Sequence, residues 1–89
     1  MTAEEYNKSV KELMTIPGVA RSIADDLIQL GIKKVSDLKD KDPERLYSKS
    51  NRQAGIIQDK NVLYMFRCAV YFASNETHDT EKLKWSNWK

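Results

Sequence analysis

The chain is 89 residues long, so a single domain with one hydrophobic core is expected over residues 1–89. The 15 Lys and Arg residues against 13 Asp and Glu residues give a net charge of +2, which is not the strongly basic balance of a dedicated nucleic-acid binder. The charge is uneven, because residues 1–44 carry −2 and residues 45–89 carry +4. A hydrophobic content of 40% with only 3 Gly and 2 Pro excludes a disordered or fibrous chain.

The number of cysteines and the length of the apolar segments indicate the cellular compartment of the chain. Cys68 is the only cysteine, which rules out an intramolecular disulfide framework and favours a reducing compartment. The acidic N-terminus lacks the apolar core of a signal peptide. The longest apolar stretch, residues 62–73, is shorter than the ~20 residues of a membrane span and contains Arg67. We therefore expect a cytoplasmic domain with no membrane partner.

Helix signals and breakers alternate along the N-terminal third. Thr2 and Glu5 match a capping box and predict a helix over residues 3–14. Pro17 then disfavours helix at the preceding residue, which ends this element. A second helix is predicted over residues 20–30, where apolar residues recur at helical spacing.

Two short helices are predicted next. One covers residues 35–41, and the other begins at Pro43 with Asp42 as its cap. Asp is favoured at the N-cap and Pro at the first helical position. Residues 51–58 are predicted to form a loop around Gly55.

The most apolar segment, residues 59–73, predicts a helix with a wide apolar face, which is typical of the central helix of a domain. A break over residues 75–79 separates it from a short final helix over residues 80–84. No strand-like alternation is present. These elements predict an all-α fold in one unit.

A Pro-Gly turn between two predicted helices is the most specific feature of the sequence. Pro17 and Gly18 make the turn, Val19 fills the space between the helices, and the small Ala24 lets them approach closely. With these residues, segment 13–28 resembles the helix-hairpin-helix family. The resemblance implies a compact SAM-like domain of five to six helices, in which the hairpin grips the backbone of one DNA strand without reading its sequence.

The resemblance covers nearly the whole chain. Residues 31–46 look like the stretch that follows the hairpin in five-helix domains of this kind. Residues 59–73 and 83–89 are similar to a small bacterial family, the pathogenicity-locus or mitomycin-resistance-related helix-hairpin-helix proteins. That similarity implies a setting in bacterial DNA repair or maintenance.

The hairpin turn is the candidate nucleic-acid site. Backbone N–H groups exposed at a tight turn beside a helix N-terminus bind phosphate oxygens. The predicted contact residues are Gly18, Val19, Ala20, Arg21 and Ser22. In this hypothesis the amides of the first three hold the DNA backbone, and the side chains of the last two assist.

Features of the same segment favour an alternative. Ala20 replaces the second glycine of the motif, which costs ~1–2 kcal/mol if φ there is positive and nothing at an ordinary helix start. Ser22 stands where many DNA-binding members carry a basic residue, and Asp25 and Asp26 repel a phosphate backbone. The alternative hypothesis is a protein–protein interaction module with an architectural hairpin, in which a Trp- or Tyr-bearing surface docks a partner.

A second candidate surface lies on the 59–73 helix. Lys60, Tyr64, Arg67 and Tyr71 recur there at helical spacing on the least apolar face. A basic and aromatic stripe of this kind holds phosphates and stacks bases. The alternative is a solvated face whose Tyr and Arg residues lay their apolar stems over the core.

The remaining residues suggest no catalysis. His78 is the only histidine and has no cysteine or second histidine beside it, so no metal site is predicted. Cys68 is expected to be a buried, inert thiol. Without a phosphate-binding glycine loop or paired carboxylates, we predict neither an enzyme nor a cofactor. Trp85 and Trp88 either offer a stacking platform or partner anchor, or tie the C-terminal tail to the core.

Overall fold

Two helices joined by a tight turn open the chain in the computed structural model, which describes residues 1–89. Helix α1 spans Ala3–Leu13, and helix α2 spans Arg21–Gln29. The hydroxyl of Thr2 accepts from the backbone nitrogen of Glu5 at 3.2 Å and so satisfies one of the free amides at the start of α1. The predicted N-terminal cap is therefore confirmed.

Helices α3 (Pro43–Ala54) and α4 (Lys60–Ser74) form the second half of the fold. The Asp42 carboxylate caps α3, as predicted, by accepting from the Glu44 amide at 3.0 Å. The prediction of a loop from residue 51 is wrong by one turn. The helix continues until Gly55, which has φ +73 and ends it in the left-handed conformation that favours glycine.

Three short 3₁₀ turns complete the chain, at Val35–Leu38, Thr80–Leu83 and Trp85–Trp88. Helices had been predicted over residues 35–41 and 80–84, and both prove to be single turns, because segments this short do not sustain α-helical bonding. With four α-helices and no strands, the all-α prediction is confirmed.

Helix α4 lies at the centre of the domain, as its wide apolar face predicted. It packs against α3, against the Val35–Leu38 turn and against the C-terminal segment, which we define as residues 80–89. Phe66 at its middle is fully buried. The other hydrophobic members of the core cluster are Val10, Leu13, Ile16, Val19, Ile23, Ala24, Leu27, Ile32, Leu38, Leu46 and Ala69. The radius of gyration, 12.3 Å, matches the ~12 Å of a compact chain of this length.

We expect Phe66→Ala to lower the free energy of unfolding by ~3–5 kcal/mol, because removal of a fully buried ring leaves a cavity in the core. The measurement is urea denaturation followed by circular dichroism. Ile57→Ala is the matched control, since Ile57 is 87% exposed and its truncation should change stability by less than ~0.5 kcal/mol. Equal stabilities of the two variants would contradict the position assigned to Phe66.

Candidate nucleic-acid interface

The hairpin turn is built by one left-handed residue and one buried plug. Gly18 has φ +83, a conformation that L side chains rarely adopt. Val19 is 6% exposed, and its backbone nitrogen donates to the Ile16 carbonyl at 3.1 Å. Ala20 is extended at φ −86 and ψ 174, as the N-cap of α2. The glycine that the motif carries at this position is therefore not required by the backbone angle here, and alanine bears no left-handed strain.

Free amides cluster at this turn. The backbone nitrogens of Gly18, Ala20, Arg21 and Ser22 donate to no acceptor within the protein, and Ala20 supplies no side-chain cap. The positive end of the α2 dipole adds to their partial charge. The Val19 amide, included in the sequence-based set, is instead committed to Ile16, so Val19 acts through packing.

Carboxylates limit the positive potential beside the turn. Asp25 accepts from the Tyr6 hydroxyl at 2.6 Å and from the Gln29 side-chain amide at 3.0 Å. The hydrogen bond to Asp25 raises the pKa of Tyr6 above its usual value, and the nearby Arg21 partly opposes the rise. Burial, followed by the charge of Asp25, raises the pKa of Asp26. The exposed Arg21, at the start of α2, is the cation that partly offsets the negative charge of these carboxylates.

The C-terminal segment lies against the hairpin turn. A Cβ atom added to Gly18 would stand 3.3 Å from Cδ1 of Trp85. The φ angle of Gly18 disfavours any L side chain, and a Cβ atom there would also make a tight contact with the indole. This contact has no signal in the sequence, because no local pattern relates residues so far apart in the chain.

Arg67 holds the C-terminal segment to the body of the domain. Its Nη1 donates to the Trp88 carbonyl at 2.7 Å, while Nε and Nη2 donate to Oε1 of Glu44 at 3.1 and 2.9 Å. The Trp88 indole in turn donates to the Lys82 carbonyl at 2.7 Å. Trp85 and Trp88 are both half-buried. The two tryptophans tie the tail to the fold, which is one of the two roles anticipated from sequence.

In the second candidate surface, on α4, some side chains make contacts within the domain. Lys60 is exposed and Tyr64 is half-buried, with the Arg67 guanidinium 5.7 Å from its ring centre. The Tyr71 hydroxyl accepts from the Asp79 amide at 2.8 Å, and the Tyr71 ring centre lies 5.5 Å from that of Trp88. Arg67 and Tyr71 are therefore occupied by internal contacts, and the stripe does not form one continuous free face.

Cys68 and His78 are both engaged inside the molecule. Cys68 is buried, as expected, its thiol lies 3.3 Å from the Leu83 carbonyl, and burial raises its pKa. The His78 ring stacks on Phe72 at 4.5 Å and its Nε2 lies 2.8 Å from the Phe72 carbonyl. No group of three or more potential metal ligands is present, and none of the helices has the length and apolar character needed to cross a membrane.

The structure also presents a basic surface that sequence analysis missed. Arg45, Lys49 and Arg52 follow one another at i, i+4 and i+7 along the outer face of α3. All three are exposed, and none forms an ion pair. We call these three residues the α3 basic stripe. Their spacing was visible in the sequence, but its significance depends on α3 extending through residues that had been predicted to form a loop.

We expect Gly18→Ala to destabilise the domain more than Gly31→Ala. Both glycines have a positive φ, at +83 and +89, so each alanine bears a backbone strain of ~1–2 kcal/mol. Only at Gly18 would the new methyl group meet Trp85, whereas nothing lies within 4 Å of one at Gly31. Chemical denaturation gives the stabilities, and the tryptophan emission should change only in the first variant. Matching losses with unchanged emission in both would argue against the Trp85 contact.

We expect Arg67→Ala to lower the free energy of unfolding by ~1–3 kcal/mol, chiefly through loss of the charge-assisted bond to the Trp88 carbonyl. Glu44→Gln is the control, because it removes only an ion pair whose Glu44 side chain is 55% exposed, worth at most ~1 kcal/mol. Acrylamide quenching should rise in the arginine variant as the C-terminal segment loosens. If both variants behave alike, the carbonyl bond does not hold the segment.

Comparison with known proteins places the chain in one family. A family model described as "Cdd1: Pathogenicity locus" matches residues 6–89, from within α1 to the last residue. No curated protein and no solved structure matches the chain. Because the match takes in the hairpin turn, the α3 basic stripe and the C-terminal segment together, this chain belongs to the Cdd1 (pathogenicity locus) family.

Proposed function

We propose that the domain is a SAM-like helix-hairpin-helix module of five to six helices that binds the DNA phosphate backbone without sequence specificity. In this proposal, Gly18, Ala20, Arg21 and Ser22 form the contact surface and Val19 supports it from the core. The resemblance to mitomycin-resistance-related proteins suggests a setting in bacterial DNA repair or maintenance.

The observation that carries the proposal is the group of free amides at the turn. Four backbone nitrogens at residues 18, 20, 21 and 22 have no acceptor in the protein and surround the positive end of α2. Such an arrangement binds an anionic oxygen through partial charges and hydrogen bonds, with no need for a dedicated side chain. A phosphate backbone offers that oxygen at every nucleotide, so binding of this type is independent of base sequence.

Two further features support the same function. The Ala20 backbone is an ordinary helix start, so the departure from the glycine pattern leaves the geometry of the turn intact. The four α-helices, with the Val35–Leu38 turn packed against α4, are consistent with an all-helical domain of the proposed type.

Fluorescence anisotropy with labelled single- and double-stranded DNA tests the proposal. A hairpin that neutralises about three phosphates should lose about 40-fold in affinity between 50 and 200 mM salt. The affinity should not depend on base sequence. An absence of binding at micromolar protein and low salt would overturn the proposal in favour of an interaction module with an architectural hairpin.

We expect Arg21→Glu to weaken DNA binding uniformly across sequences and to reduce the salt dependence by about one phosphate contact. Lys8→Glu is the matched control, because Lys8 is an exposed lysine of α1 and the substitution makes the same change in net charge. If the two variants bind DNA equally, the turn is not the contact site.

A further inference from the structure

The most exposed large hydrophobic residues of the chain lie directly after α3. Ile56 is 66% exposed and Ile57 is 87% exposed, against 58% for Met1 and 45% for Met14. The two isoleucines line one open depression with Ser48, Asn51, Arg52 and Gly55. Two adjacent, exposed aliphatic side chains form a candidate contact surface for another phase or molecule.

Hydrogen bonds on both sides of the isoleucine pair keep it turned outward. Before the pair, the Gly55 amide donates to the Asn51 carbonyl at 2.9 Å. After the pair, the Gln58 amide donates to the Asn51 side chain at 2.9 Å, and the Gln58 side chain donates to the buried Ser50 hydroxyl at 2.8 Å. The Tyr47 hydroxyl also donates to the Gln58 carbonyl. The segment is therefore tied to α3 at each end, which fixes the exposure of the pair.

The α3 basic stripe continues into this tip. Arg52 borders Ile56 and Ile57 in the same depression, and Lys49 and Arg45 extend the positive charge along the helix. The residues with carboxylates at the other end of the stripe are Asp40, Asp42 and Glu44. Of these, Asp42 caps the first turn of α3 and Glu44 pairs with Arg67. None of the three cations forms an ion pair, and no carboxylate lines the depression that Arg52 shares with the isoleucines.

This face offers neither a free side-chain amide from Asn51 or Gln53 nor an aromatic ring to contact a base. The Asn51 side chain is taken by Gln58, and the Gln53 side-chain amide donates to the Gln29 carbonyl at 3.1 Å. No aromatic ring lines the depressions along the stripe, so nothing there stacks a base. What remains is positive charge next to protruding aliphatic groups. The exposed aliphatic pair favours an anionic lipid surface over a nucleic acid, because an acyl boundary would bury these side chains and a phosphate backbone would leave them in water.

We propose that this face attaches the domain peripherally to an anionic lipid bilayer, with Lys49 and Arg52 on the headgroup phosphates and Ile56 and Ile57 inserted at the acyl boundary. Such attachment combines buried apolar area with electrostatic attraction and needs no spanning helix. The expectation of no membrane partner rested on the lack of a spanning segment and does not address this mode. The proposal is independent of DNA binding, since it uses none of the hairpin residues.

Co-sedimentation with vesicles tests the proposal. The full chain should partition onto phosphatidylcholine vesicles that contain phosphatidylglycerol and only weakly onto phosphatidylcholine alone, with the difference shrinking at high salt. Lys49→Glu with Arg52→Glu should weaken partitioning at least about 25-fold, taking about fivefold for each cation lost. Lys8→Glu with Lys11→Glu is the charge-matched control on α1 and should have a much smaller effect.

The isoleucine pair separates insertion from simple charge attraction. Ile56→Ser with Ile57→Ser keeps the net charge and should weaken partitioning at least about tenfold, whereas Met14→Ser should not. If the serine variant partitions like the wild type, or if neutral and anionic vesicles are bound equally, the proposal is overturned. If the stripe variant loses DNA affinity but not vesicle affinity, the face is instead a nucleic-acid contact. Arg21→Glu should leave partitioning unchanged, which keeps the outcome distinct from that of the hairpin proposal.

Discussion

The hairpin depends on a constraint at Gly18. Its left-handed φ of +83 turns the chain between α1 and α2, and a Cβ atom at this position would make a tight contact with the Trp85 indole. The turn sets the position of α2 and so directs its unpaired amides outward. It also gives the C-terminal segment a surface on which to rest. One residue without a side chain thus connects the start of the fold to its end.

The arginine and lysine residues of the domain fall into groups with different roles. Arg67 has a structural role, since its guanidinium binds both the Glu44 carboxylate and the Trp88 carbonyl. Arg21 faces solvent beside the hairpin turn, where Asp25 and Asp26 weaken its field. The residues of the α3 basic stripe form no ion pair, and no carboxylate lines the depression beside Arg52, Ile56 and Ile57. The net charge of +2 is thus unevenly distributed, because the acids of the chain concentrate in its first half.

Local signals predicted the helices well and the contacts between distant segments poorly. Thr2, Asp42 and Pro43 indicate helix starts because capping and first-turn preferences act within one turn of the chain. Both helix starts were predicted correctly. The end of α3 was missed because Asn51 is compatible with either loop or helix, and Gly55 decides between them. The Trp85 contact with Gly18 and the role of Arg67 follow from tertiary packing, which no periodicity encodes. Similarly, the free amides at the turn were foreseen, but the commitment of Val19 to Ile16 was not.

The position of Cys68 gives the C-terminal segment a chemical reporter. The thiol is 1% exposed and lies beneath residues 82 and 83, whose carbonyls approach the sulfur. An alkylating reagent reaches it only when the segment lifts from α4, and the raised pKa makes the closed-state thiol a poor nucleophile. The rate of thiol labelling therefore measures the free energy of local opening, separately from global unfolding. The single cysteine thus allows the stability of the C-terminal segment to be measured without any substitution in the chain.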